Sequence, residues 1–184
     1  MTRILRLRAC AAAAATAALL GVGASAVTTP ADAAPVSQVP AYLTVSLPAV
    51  GGVEVGPGGV PGGSFQQVTV IGRPAIRTLQ YPPPPAGVTF SVANLAPWHA
   101  QQSYRYLSIS WRNLRTGRTG HVNLRHWRTA PGSRGFPASL PTSATVTTFG
   151  GPVVATVSVL REQYRRPPLT ISVIPGVVAL DVPD

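Results

Sequence analysis

"SYRYLSISWRNLRTGRTGHVNLRHWR", Ser103 to Arg128, decides the fold. Two runs alternate apolar and polar residues on either side of a Gly-containing centre, which is the signature of a β-hairpin. With Thr116 and Gly117 as a two-residue turn, the glycine supplies the positive φ such turns need. Leu107 then pairs with His126, Ile109 with Leu124, and Trp111 with Val122 on one face. On the other face Tyr106 pairs with Trp127, Ser108 with Arg125, Ser110 with Asn123, and Arg112 with His121. This register sorts apolar from polar side chains, and a slip by one residue would reverse every side chain of a strand. Ile109, Trp111 and Leu124 are therefore expected in the core. The outward face carries Tyr104, Tyr106 and Trp127 at one end and Arg112, Arg125 and His121 toward the tip, where Arg115 and Arg118 add charge.

Outward from the hairpin, the same two-residue period recurs. "AYLTVSL" alternates Leu43, Val45 and Leu47 with polar partners, and "GVTFSVANL" does so with Val88, Phe90 and Val92. "SFQQVTVIG", "SATVTTF", "PVVATVSVL" and "LTISVIPGVVAL" add β-branched runs, the last split at Pro175 and Gly176. Pro and Gly punctuate the chain throughout, and no long segment has helical periodicity. About eight to ten short strands follow. They predict an all-β chain folded as a single antiparallel β-sandwich. A Gly/Pro-rich loop is expected at about 48–63, and "YPPPPAG" is expected as an extended spacer, because proline cannot donate to a ladder.

The run "VANLAPWHAQQSYRYLSISWRNLRTG" resembles the fibronectin type III and immunoglobulin-like pattern, through Leu95, Pro97, Tyr104, Asn113 and Gly117. That resemblance implies an immunoglobulin-like sandwich with a tyrosine-corner strand. The whole chain is also similar to small exported actinobacterial proteins, a likeness that implies location and not activity.

The N-terminus fits export. Arg3, Arg6 and Arg8 precede an Ala/Leu-rich run from Ala9 to about Val22, and small residues follow at "ASA" and "ADA". Residues 1–33 are expected to be a secretory signal peptide cut after Ala33, with Ala26 as the other candidate, leaving a domain over 34–184. The apolar run is shorter than a spanning helix needs. Cys10 lies before it, so the expected mature chain has no cysteine, and therefore no disulfide, thiolate metal site or Cys nucleophile. The expected product is secreted, or loosely held at the cell wall.

All fifteen basic residues are arginine. From residue 34 onward, twelve arginines face only Glu54, Glu162, Asp181 and Asp184, a side-chain balance of +8. Such a field favours anionic partners. In an exported protein those are acidic envelope polymers, glycans or anionic lipid head groups rather than nucleic acid. Enzyme chemistry is poorly provided for. The carboxylates are too scattered for a glycosidase pair, and the chain contains no GxSxG elbow and no Walker loop. His121 and His126 project to opposite faces, so neither a metal site nor a cofactor is expected. The expected function is a non-catalytic binding or envelope-associated protein that uses Tyr104, Tyr106, Arg112, His121, Arg125 and Trp127 to contact an anionic polymer. Sugar stacking on the aromatics, and carriage of a lipid or other apolar molecule between the sheets, are the alternatives. The plain reading of the same face is a solvated strand surface, or one covered by a loop, with an aromatic cross-strand pair contributing roughly 0.2–1 kcal/mol.

Overall fold

The computed structural model describes residues 43–52, 54–55, 61–62, 65–76, 81–100, 102–130 and 132–184. The expected signal segment lies outside them, as do residues 53, 56–60 and 63 of the expected Gly-rich loop. In chain order the strands are β1 (Val45–Gly51), β2 (Glu54–Val55), β3 (Pro61–Gly62), β4 (Gln66–Pro74) and β5 (Gly87–Val92). A 3-10 turn (Gln102–Tyr104) leads into β6 (Arg105–Asn113), followed by β7 (Thr119–Leu124), β8 (Ser143–Thr147) and β9 (Gly151–Gln163). Last come β10 (Arg166–Thr170), β11 (Ser172–Ile174) and β12 (Gly176–Val182).

Two antiparallel sheets make the sandwich. The first has the order β11-β1-β4-β5-β8, and the second β10-β9-β6-β7, with β12 also paired to β9; β2 and β3 form a separate small ladder. The long strand β9 serves β10 along its C-terminal end and β12 along its N-terminal half. Between them β11 crosses to the first sheet and pairs with β1. The last apolar run thus breaks at Pro175 as expected, and also at Ile171. β1, β4 and β5 lie side by side in one sheet, whereas an immunoglobulin sandwich sends its third strand to the opposite sheet. β1 also runs through Pro48 to Gly51, four residues into the stretch expected as loop.

The core follows from the two-residue period. Leu47, Val70, Val88 and Phe90 of the first sheet meet Leu107, Ile109, Leu124 and the alternate residues Val153, Ala155, Val157 and Val159 of the second, all fully or almost fully buried. Trp111 and Val122 are half-buried against this cluster. The hairpin exists, with a register different from the expected one. Leu107 faces Leu124, Ile109 faces Val122, Trp111 faces Gly120 and Arg112 faces Thr119. Each partner has moved by two residues, so both faces keep their membership while every pairing changes. The cause is the tip, a four-residue loop rather than a two-residue turn. The Gly117 amide donates to the Asn113 carbonyl, the Asn113 amide donates to the Arg118 carbonyl, and Gly117 takes φ 72°.

Asn113 explains the longer loop. Its Oδ1 accepts from the amides of Arg115 and Thr116, both at 2.9 Å. Its Nδ2 donates to the carbonyls of Thr148, Phe149 and Gly150 at 2.8, 3.2 and 3.1 Å. One buried side chain thus shapes the hairpin tip and fastens it to the turn before β9, satisfying backbone carbonyls that would otherwise be costly to bury. Phe149 holds a left-handed φ of 62°, with the Arg118 guanidinium 4.2 Å from its ring centre. Arg115 forms a two-pronged pair with the Asp184 carboxylate, 2.6 Å from Nη1 to Oδ2. Both tip arginines therefore have structural partners.

Candidate functional site

The outward face of the second sheet divides into a covered half and an open half. Tyr106 is 4% exposed and Trp127 1% exposed, so neither forms the open aromatic platform expected from sequence. Three contacts account for this. The chain leaves β7 and pairs in parallel with Ala96, the Ala96 amide donating to the His126 carbonyl and the Arg128 amide to the Ala96 carbonyl. The Trp127 indole donates from Nε1 to the Arg105 carbonyl at 2.8 Å. The described part of the 128–142 segment folds back over the sheet, setting Phe136 edge-on to Tyr106 with ring centres 5.0 Å apart. Burial, reinforced by the Glu162 carboxylate, raises the pKa of the Tyr106 hydroxyl. Both rings are buried without belonging to the main core cluster.

Arg125 belongs to that covered half. Its guanidinium lies 5.4 Å from the Trp127 ring centre, and its Nε donates to the Leu140 carbonyl at 3.3 Å. The expected grouping of Arg125 with Arg112 and His121 as one free basic patch does not form. Tyr104 is 57% exposed, in the 3-10 turn rather than in a buried corner.

The open half keeps Arg112 and His121, both exposed. His121 faces Ser110 and Arg112 faces Thr119, so the two basic groups sit diagonally, roughly 7 Å apart at Cβ. They border an open concavity of about 500 Å³ whose lining includes Ser108, Ser110, Thr119, Val154 and Thr156. Sequence reasoning named the two basic residues and missed the hydroxyls. Ser108 and Ser110 were within reach, since they alternate with the core residues exactly as Arg112 does on β6. Thr156 was not, because β9 joins the site only through its pairing with β6, Ser110 opposite Thr156 and Arg112 opposite Val154. Chemically the concavity offers a guanidinium, an imidazole and a hydroxyl-rich floor, a set suited to an oxygen-rich anion.

On the inward face at the other end of the hairpin lie Arg105 and His126, both buried. The two ring nitrogens of His126 are enclosed and have no hydrogen-bond partner among the described residues. Burial first, and the Arg105 charge second, lower its pKa to about 4. This neutral imidazole is an interior group and not part of the concavity.

No helix among the described residues is long and apolar enough to cross a membrane. No family model matches the chain, and neither a curated protein nor a solved structure does.

Proposed function

We propose that the protein is exported by its N-terminal segment and acts outside the cell as a non-catalytic binding protein, held at the envelope by contacts with an anionic polymer. The observation that carries this reading is the concavity on the outward sheet face, where Arg112 and His121 stand over Ser108, Ser110, Thr119 and Thr156. Arginine matches carboxylate or phosphate with two parallel hydrogen bonds, and hydroxyls can exchange hydrogen bonds with a polyhydroxylated chain. The excess of arginine over carboxylate adds a long-range attraction of the same sign. Sugar stacking on Tyr106 and Trp127 is dropped from the proposal, because both rings are covered. The packed side chains between the sheets likewise favour the outer face over a carrier role.

The test is retention on isolated cell envelope. Release should rise steeply between about 0.05 M and 0.5 M salt as counterions screen the contacts. Arg112→Glu with His121→Glu should shift release to lower salt without lowering the melting temperature, since both side chains are exposed. Salt-independent retention, or retention indifferent to this pair, would sink the proposal.

A further inference from the structure

The end of the molecule opposite the hairpin tip carries a second surface of different chemistry. β9 runs two residues beyond its last pairing with β6, at Arg161, and turns back into β10, with Gln163 facing Arg166 across a loop of Tyr164 and Arg165. Tyr164 is 83% exposed and every residue of β10 is exposed. The Arg165 guanidinium lies 5.1 Å from the Tyr164 ring centre, and Arg166 follows directly. Arg165 holds φ 53°, a left-handed conformation that glycine or asparagine adopts more cheaply. The charge is thus kept at the tip against a backbone cost. Three residues beyond Arg166 in the same strand, Leu169 is an apolar side chain 46% exposed, and Val173 of β11 is exposed as well. The Gly52 amide donates to the Ile171 carbonyl and so ties the link between these two strands to the first sheet.

We propose that this ribbon docks on an anionic lipid bilayer, with Arg165 and Arg166 at the headgroups and Tyr164 and Leu169 entering the interface. The charge is complementary to such a surface, Glu162 being the nearest carboxylate in the chain. A soluble polyanion would use the arginines and leave Leu169 and Val173 in water, whereas a bilayer interface accepts arginine, tyrosine and aliphatic side chains together. Pairing with a second copy through the β10 edge is disfavoured, because Pro167 and Pro168 remove two successive donors from that strand. The ribbon is also separate from the concavity. Nine residues of β9 lie between Val154 and Tyr164, which are roughly 33 Å of extended chain apart.

The protein in its exported form, purified from the medium of its host, would be pelleted with vesicles of phosphatidylcholine mixed with phosphatidylglycerol, and with vesicles of phosphatidylcholine alone. Binding is expected to the first and not to the second. Arg165→Glu with Arg166→Glu, and separately Tyr164→Ala with Leu169→Ser, should each weaken it by about tenfold or more. Arg112→Gln with His121→Gln should weaken it far less than either ribbon pair does, so this proposal and the envelope proposal fail independently. Tyr164→Trp should show quenching by brominated phosphatidylglycerol beyond that of the parent protein. Absence of binding to the anionic vesicles, ribbon variants that bind like the parent, or no added quenching at Trp would each overturn the idea. So would loss of binding through the charge pair alone with none through the apolar pair, which would mark a surface for soluble polyanions.

Discussion

His126 shows how a residue's neighbours replace its chemistry. In the sequence it is one of three histidines and an inward-facing hairpin residue; in the fold it lies against buried Arg105 with its pKa lowered to about 4. The ordinary value of about 6.5 applies to the unfolded chain. Between those two pH values the unfolded state binds a proton that the folded state does not, so stability is full above about pH 6.5 and falls as pH drops toward 4. The loss by pH 4 is about 3 kcal/mol. Denaturant titrations of the parent and of His126→Leu at pH 7.5, 6 and 5 should show a gap that widens in the parent's disfavour as pH falls. A constant gap would mean the imidazole does not titrate in this way. Trp127 is the companion case. Its place on the outward face was legible from alternation, but its covering depends on the Ala96 bridge and on a segment folding back from beyond β7.

At the scale of the element, the hairpin separates what alternation determines from what it leaves open. Shifting the register by two residues preserves both faces, so patterning alone cannot choose between a two-residue and a four-residue connection. Asn113 chooses, by accepting from the amides of Arg115 and Thr116 while donating to three carbonyls of the 148–150 turn. The observed register places Gly120 opposite Trp111, where a Cβ would sit 2.6 Å from the indole ring. Gly120→Ala should therefore force the ring aside and cost about 1–3 kcal/mol, read as a lower melting temperature with altered near-ultraviolet dichroism. In the expected register Trp111 would face Val122 and the substitution would be harmless. An unchanged melting temperature would thus count against the observed pairing.

Across the whole molecule, charge outweighs its internal compensation. Arg115 has Asp184 and Arg118 has Phe149, yet twelve arginines from residue 34 onward share four carboxylates. Self-repulsion should make the purified protein less stable in dilute salt. Its melting temperature should rise between about 0.01 M and 0.15 M salt, as the screening length falls from about 30 Å to about 8 Å. A fall would mean that ion pairs dominate the balance. The all-β class, the two faces of the hairpin and the basic excess are legible in the sequence alone, because these depend on a two-residue period and on counting charges. For the same reason Arg112 and His121 fall on the outward face. Only the tertiary structure decided which half of that face stays open, that Thr156 joins it, and that β9 extends into a ribbon bearing Tyr164 and Arg165. Those outcomes depend on pairing between segments distant in the chain and on a connection folding back over a sheet, and alternation along one strand carries no information about what comes to lie beside or above it.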